Sequence, residues 1–271
     1  MNKESIVLNI IERIESRLEK KENISVNEVA NISGYTKRYT QKIFKEQTGM
    51  NISSYIKRRR LTYAAILIKL TKKSFYHIAM DLHFSTQQSF TRSFSREFNI
   101  TPFDFRNSDY FDYSRLLPNR AMKLTDYSIR KTQIPALKLN VESFYFYESL
   151  LNDDTTRANK FRFFEINDII SNKNEAIIVT SLTPNSKTKD IVKLHTRIGF
   201  KDDDTFNFET NSMSCWEITY SGEWDDYIKF GRFFMFELEV NSPLFFIEAI
   251  KKSGEDAAKN IFYVKIYMPA E

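Results

Sequence analysis

The sequence contains little cysteine and few histidines: Cys215 is its only cysteine, and three of its 271 residues are histidine. A single cysteine cannot form an internal disulfide, so we expect a reducing cytoplasm, with Cys215 as a small core residue. No apolar run approaches the roughly 18–20 residues that a membrane helix needs, which predicts no membrane partner. The first residues also lack the apolar core and the cleavage site of a signal peptide.

Motifs of common enzyme classes are also missing. The sequence has no G-x-S-x-G motif, no phosphate-binding loop and no cluster of metal ligands. The paired acids at Asp225-Asp226 and at residues 202–204 are more typical of surface loops or helix caps than of catalytic pairs. We therefore expect no enzyme, no catalytic residue, no cofactor and no metal.

The charge is distributed unevenly along the chain. Through Asn107 there are 19 Lys and Arg against 10 Asp and Glu, a net charge of +9, whereas the remainder carries −4. Hydrophobic residues make up 42% and aromatic residues 15% of the chain, which is ample for packed cores. The length suits two domains of roughly 100–150 residues. A basic first half beside a mildly acidic second half favours a polyanion partner for the first half alone.

Two similar segments in the basic half predict helices with one apolar and one polar face. In the second, Phe84, Phe90, Phe94 and Phe98 would face a core. The first, residues 34–44, lies about fifty residues upstream. We interpret the outward side chains as contacts to base edges and phosphates, the alternative being a solvated face: Thr36, Arg38, Gln41, Lys42, Gln87, Gln88, Ser89, Thr91, Arg92 and Arg96. Gln88 has a rival role, because Ser85 and Gln88 also fit a capping box.

The surrounding pattern predicts further helices in the first half. Ser25 and Glu28 fit a capping box, Gly34 suits a sharp turn, and Thr36 suits an N-cap. Helices are expected at about 5–19, from 26 to the turn at 34, at 36–46, at 52–70, at 74–81 and from the turn at 84–86 to 98. Of the basic run at 57–60, we expect at most two residues to touch DNA. The long helix of about 19 residues spans roughly 28 Å, which suits two recognition helices in successive major grooves about 34 Å apart.

The second half has a different pattern. Residues 1–107 are predicted as the helical DNA-binding domain, 108–119 as a linker, and 120–271 as an α+β domain with an antiparallel sheet and helices on one side. Strands are expected near 123–139, 176–181, 193–200, 214–221, 245–250 and 262–268. Residues 143–151 fit a helix or a strand, and residues 224–238 fit a helix.

Residues 25–106 resemble the DNA-binding domain of the AraC/XylS family, closest to its Rob-, MarA- and SoxS-like subgroup. The resemblance rests on SVNEVANISGYTKRYTQKIFKEQTG, SYIKRRRLTYAA and FSTQQSFTRSFSREFNITPFDFR. It implies a nucleoid-associated activator of stress or multidrug responses that binds promoter DNA as a monomer and contacts RNA polymerase. The chain departs from the subgroup pattern at Arg38-Tyr39 and Lys42, and from the wider family at His83, where glycine is usual.

The last third resembles the GyrI-like domain of multidrug-responsive regulators. WEITYSGEW, PLFFIEAI and YVKIYMP carry this second resemblance. It implies a concave, aromatic-rich sheet that takes an amphipathic or cationic lipophilic effector, with Glu248 as the acid and Trp216 and Trp224 as walls. Glu248 on a solvated edge strand and tryptophans in the core are the alternatives. A protein that mainly sequesters lipophilic or toxic compounds is the alternative function.

Overall fold

A computed structural model describes residues 2–108, 115–117, 127–149, 156–184, 187, 190–230, 245–253 and 261–270. Its N-terminal part is helical, and its C-terminal part is built on one antiparallel sheet. The helices of the first part are α1 (Lys3–Glu19), α2 (Val26–Ser33), α3 (Lys37–Thr48), α4 (Ile52–Leu70), α5 (Phe75–Asp81), α6 (Gln87–Phe98) and α7 (Pro102–Asn107). This arrangement confirms the predicted helical first part.

Side-chain caps set the helix boundaries. The predicted capping box is present, since Ser25 Oγ accepts from the Glu28 amide and Glu28 Oε2 accepts from the Ser25 amide. The predicted N-caps Thr36 and Ser74 are confirmed too. Helix α3 runs two residues beyond its predicted end, because the left-handed residue that stops it is Gly49, at φ 75°.

Apolar stripes of these helices form one core. The inward positions of α1 are buried, and α4 lies at the centre, in contact with α3, α5, α6 and α7. Part of the predicted linker joins this core: Leu116 and Leu117 are buried, and the Leu117 amide donates to Thr62 Oγ1 at 3.0 Å. The aromatic residues of that linker, at 110, 111 and 113, lie outside the described residues.

The C-terminal part contains an eight-stranded sheet. Its strands are β1 (Tyr127–Ile134), β2 (Lys138–Ser149), β3 (Ala176–Pro184), β4 (Ile191–Lys201), β5 (Phe208–Glu209), β6 (Met213–Glu223), β7 (Phe245–Lys252) and β8 (Ile261–Pro269), and its helices are α8 (Thr156–Lys173) and α9 (Trp224–Phe230). The strand order is β1-β6-β8-β7-β3-β4-β2-β5, and every pair is antiparallel. The predicted antiparallel α+β architecture is confirmed.

Several predicted bounds change in this part. The strand predicted at 123–139 divides into β1 and the start of β2, and residues 143–149 continue β2 as strand rather than helix. Helix α8 had not been predicted, because its apolar residues form no clean stripe and Phe164 is 71% exposed. Of the helix predicted at 224–238, residues 224–230 are helical, and the rest lies outside the described residues.

The two faces of the sheet carry different clusters. Helices α8 and α9 pack on one face, where Ile178, Ile218 and Ile266 are buried. The opposite face buries a second cluster that includes Val179 and Cys215, as predicted for that cysteine. None of the helices in the described ranges is both long and apolar enough for a transmembrane span.

The two parts also touch each other. Leu70, at the end of α4, packs with Val192 and Leu194 on β4 in a small apolar cluster. Beside it, Asp190 contacts lysines of the helical part. The start of β4 thus lies against the end of α4 and the loop that leads into α5.

Candidate DNA-binding interface

Helix α6 is anchored on one side and open on the other. Phe90 and Phe94 are fully buried and Phe98 nearly so, with ring centroids 5.8 Å and 4.7 Å apart along the series. These rings are core, as predicted, and cannot stack on bases. Because side chains four residues apart lie on the same side of a helix, Gln88, Arg92 and Arg96 form one stripe. All three are exposed and no acid interrupts the stripe.

The start of α6 corrects one expectation. Its N-cap is Thr86, whose Oγ1 accepts from the Ser89 amide at 3.0 Å, and Ser89 Oγ accepts in return from the Thr86 amide at 3.3 Å. The capping box is therefore Thr86–Ser89 and not Ser85–Gln88. Gln88 therefore belongs to the exposed stripe, whereas the Ser89 hydroxyl takes part in the N-terminal cap of the helix.

Helix α3 presents a second polar stripe. Arg38, Gln41 and Lys42 are exposed, and Thr36 caps the helix by accepting from the Tyr39 amide. Ser33 Oγ lies 2.8 Å from Thr40 Oγ1, which ties α2 to the inner side of α3. Inward, Phe44 meets Tyr55 of α4 edge to face. Lys42 lies 3.9 Å from Glu46, a loose pair that leaves the ammonium in solvent.

Sequence reasoning missed an aromatic pair beside this stripe. Tyr39 is 37% exposed on α3, and Tyr35 in the preceding turn is 42% exposed, with ring centroids 5.2 Å apart. Because both rings are exposed at the start of α3, they are candidate contacts with base methyl groups or sugars. Helical spacing alone could have placed Tyr39 beside the polar stripe, because Tyr39 lies three residues before Lys42 on the same helix.

Buried polar links hold α4, and with it the two candidate helices. Glu15 of α1 accepts from Arg59 Nε and Nη2, at 2.8 Å and 2.6 Å, and from the Tyr55 hydroxyl at 2.9 Å. Burial lowers the pKa of the Arg59 guanidinium, but the charge and hydrogen bonds of Glu15 have the larger combined effect, so the pKa is raised. Arg59 is thus structural, while Arg58 pairs with Glu97 of α6 at 2.6 Å.

The rest of the basic run at residues 57–60 is also partly engaged within the protein. Arg60 donates to Asn23 Oδ1 at 2.8 Å, and burial lowers its pKa. Lys57 is the exposed member of the four. Arg58 and Arg59 therefore join α4 to α6 and α1 through ion pairs, and Arg60 joins α4 to the loop between α1 and α2 through a hydrogen bond.

Comparison with known proteins identifies the family of this chain. A family model described as a helix-turn-helix domain matches residues 29–108. The transcriptional regulator YkgA of Escherichia coli K12 is 32% identical over 203 residues, which cover 73% of this chain and 83% of that relative. The regulatory protein SoxS of Salmonella typhimurium is 40% identical over 107 residues, 40% of this chain and 98% of that protein.

The chain belongs to the AraC/XylS family of DNA-binding transcription regulators. One solved relative, a regulator with an AraC-type DNA-binding domain from Chromobacterium violaceum, is 28% identical, covers 38% of this chain and 91% of its own, and has a TM-score of 0.36. The relatives named here are transcription regulators and not enzymes.

In this AraC/XylS regulator the predicted effector residues lie on the helix-covered face of the sheet or near it. Glu248 is buried on β7, which lies between β3 and β8, so the alternative of a solvated edge strand is wrong. The Tyr227 hydroxyl of α9 donates to Glu248 Oε1. Burial raises the pKa of Glu248 and, together with that carboxyl group, raises the pKa of Tyr227.

Arg162 of α8 is a neighbour of Glu248 that sequence reasoning missed. Its charge partly offsets the burial of the carboxyl group, and its Nη2 donates to Thr196 Oγ1 at 3.3 Å. Within the described part of the chain, neither Arg162 Nε nor the buried Thr180 Oγ1 has a hydrogen-bond partner. The sequence pattern did not predict α8, so it could not show that Arg162 faces Glu248.

The two tryptophans differ. Trp224 is 7% exposed and packs among Phe163, Tyr227 and Phe262, which is a core position. Trp216 is partly buried on β6, and Lys131 Nζ lies 4.7 Å from its ring centroid. Tyr227 thus brings Trp224 close to Glu248, whereas no described contact joins Trp216 to that acid.

Proposed function

We propose that this regulator is a transcription activator that reads two successive major grooves as a monomer, with α3 in one groove and α6 in the next. The observation that carries the proposal is the pair of outward polar stripes, each capped by threonine and backed by buried phenylalanine. Helix α4, about 28 Å long, separates them. Because the two reading helices differ in sequence, one chain is expected to bind an asymmetric DNA site.

Base reading is assigned to specific residues. Thr36, Arg38, Gln41 and Lys42 would contact the first groove, and residues of α6 the second: Gln87, Gln88, Ser89, Thr91, Arg92 and Arg96. Within α6, Gln88 and Arg92 carry the sequence preference, because amide and guanidinium groups pair with two atoms of adenine or guanine. Ser89, with its hydroxyl in the cap, would touch DNA only through its remaining lone pair or its backbone.

The test is a comparison of specific with nonspecific binding. The wild-type chain is used to select duplexes from genomic fragments, and affinity is measured for a selected duplex and for a scrambled duplex of equal length. Gln88→Ala should weaken specific binding by roughly 1–3 kcal/mol and leave binding to the scrambled duplex nearly unchanged. Gln47→Ala, an exposed glutamine outside the stripe, is the matched control. Equal loss on both duplexes contradicts base reading.

We infer further that the sheet domain is GyrI-like and modulates the regulator by binding an amphipathic or lipophilic effector near Glu248, with Trp224 and Trp216 as candidate walls. A buried acid hydrogen-bonded to Tyr227 and flanked by aromatic rings supports this, since a desolvated carboxylate attracts an organic cation. Arg162 works against the binding of an external cation, because its own positive charge already acts on the Glu248 carboxyl group.

Calorimetry on the full chain tests the effector. Tetraphenylphosphonium and tetraphenylborate have similar shapes and opposite charges. We expect the cation to bind and Glu248→Gln to weaken its binding, with Glu209→Gln, an exposed acid on β5, as the control. Absence of binding by either ion removes the effector proposal.

A contact with RNA polymerase is also part of the proposal, and protection of promoter DNA jointly by polymerase and this chain would support it.

A further inference from the structure

Asp190 of the sheet domain lies in a joint between the two helix-turn-helix units, of which the first is α2 with α3 and the second is α5 with α6. Its side chain is 2% exposed, just before β4, and Lys73 Nζ donates to Oδ1 at 2.6 Å. Lys21 Nζ contacts the other carboxylate oxygen. The sheet domain thus places one buried negative charge between two lysines.

The two lysines lie in loops that precede different helix-turn-helix units. Lys21 lies in the loop between α1 and α2, which leads into the first unit, and Lys73 lies in the loop between α4 and α5, which leads into the second. Asp81, at the end of α5, contacts both, with Lys21 Nζ at 3.2 Å. Two lysines and two aspartates therefore balance in charge across the joint.

A further hydrogen bond strengthens the same joint. His83 Nε2 lies 2.7 Å from the Lys21 carbonyl oxygen, so the turn of the second unit touches the loop before the first. Both residues have positive φ, 58° for His83 and 54° for Lys21, which fixes the two loops in uncommon conformations. The apolar contact of Leu70 with Val192 and Leu194 seats Asp190 beside them.

Without the Asp190 carboxylate, Asp81 would be the one acid among the described residues that offsets the two lysines, which lie close together. Their mutual repulsion in a poorly solvated site would then favour separation of the two loops. The joint lies next to α2 and α5, each of which precedes a reading helix. Movement at the joint therefore changes the distance and rotation between α3 and α6.

This arrangement is an addition to the minimal DNA-binding unit. The match to SoxS is 107 residues long and covers 98% of that protein, whereas Lys21 and Asp190 lie 169 positions apart. A protein of that size cannot contain both the first loop and a counterpart of Asp190 at this spacing.

We propose that Asp190 is a positioning residue for DNA reading: it sets the separation of the two helix-turn-helix units and so the half-site spacing that the chain accepts. The inference rests on the proposed two-groove reading. Each added base pair moves a half-site by about 3.4 Å and rotates it by roughly a tenth of a turn, so a fixed joint discriminates between spacings.

The experiment measures affinity for a selected duplex and for versions with one base pair added or removed between the half-sites. The full wild-type chain should prefer the selected spacing by at least about fivefold, because a displaced half-site loses at least one good base contact. Asp190→Asn should reduce that preference to less than about twofold, and Asp190→Glu, which keeps the charge, should restore most of it. Asp203→Asn, an exposed aspartate of the same domain, is the control.

A duplex with a single half-site separates positioning from folding. Asp190→Asn should bind it as the wild type does, because each unit remains folded. A variant that keeps the wild-type spacing preference, or that loses single half-site binding to the same extent, overturns the role of Asp190. If the wild type itself shows no spacing preference, the two-groove reading fails instead.

Discussion

Arg59 of α4 and Glu15 of α1 form a buried ion pair, with Nη2 and Oε2 2.6 Å apart and both side chains 4% exposed. The pair is doubly linked, since Arg59 Nε also donates to the carboxylate, and the Tyr55 and Tyr63 hydroxyl groups complete its hydrogen bonding. Arg59 further donates to the Leu117 carbonyl oxygen. One side chain thus joins α1, α4 and the segment that leads toward the sheet.

Loss of the acid in this pair should destabilise the helical part. Glu15→Gln leaves the Arg59 guanidinium buried without its counter-charge, and breaking such a pair costs about 3–5 kcal/mol of unfolding free energy. Glu12→Gln, at an exposed position of the same helix, should change it by less than about 0.5 kcal/mol. Urea unfolding followed by circular dichroism measures the unfolding free energy of both variants. Equal stability of the two variants would contradict the structural role assigned to Arg59.

The cap of α6 predicts a small and specific effect. Thr86→Ala removes the oxygen that accepts from the Ser89 amide and should cost about 1 kcal/mol, while Thr86→Ser should retain most of the stability. Thermal unfolding measures the difference. Ser85→Ala is the control, because the alternative capping box would have assigned the larger loss to Ser85.

The phenylalanines of α6 should matter for packing alone. Phe94 is fully buried, so Phe94→Ala should lower the free energy of unfolding by about 3–5 kcal/mol. Phe164→Ala, at a 71% exposed position, should have almost no effect. DNA affinity per folded molecule should stay close to wild type for Phe94→Ala at low temperature; a large specific loss there would instead indicate base contact.

Glu248 should give the sheet domain a distinct pH dependence. Because burial raises its pKa above the ordinary 4.5, the folded protein holds the proton more tightly than the unfolded chain does. This contribution is fully present below the unfolded pKa and is lost as pH rises through the folded pKa. Glu248→Gln should therefore show a shallower decline in melting temperature than the wild type above about pH 4.5. A steeper decline in the variant would reverse the assigned shift.

Local chemistry made much of the helical part predictable. The Ser25–Glu28 box, the turn at Gly34 and the N-caps Thr36 and Ser74 all depend on residues within three positions of each other. The apolar stripes of α1 and α6 follow from helical periodicity. The exposed faces of α3 and α6, which make up the candidate interface, could be assigned for the same reason.

The remaining features depend on residues distant in sequence. Asp190 meets Lys73 across 117 positions, and Glu15 meets Arg59 across 44, so no local pattern distinguishes them from surface charges. Helix α8 lacked a clean apolar stripe, and Arg162 was missed with it. The face of Glu248 depended on which strands flank β7, which only the sheet order decides.

Hydroxyl-radical footprinting of the wild-type chain on a selected duplex, combined with its stoichiometry from analytical ultracentrifugation, tests the two-groove reading most directly. Two-groove reading by a monomer predicts one chain per duplex and two protected patches on one side of the DNA, about 10–10.5 base pairs apart. A single patch, or two patches that require two chains, would contradict it.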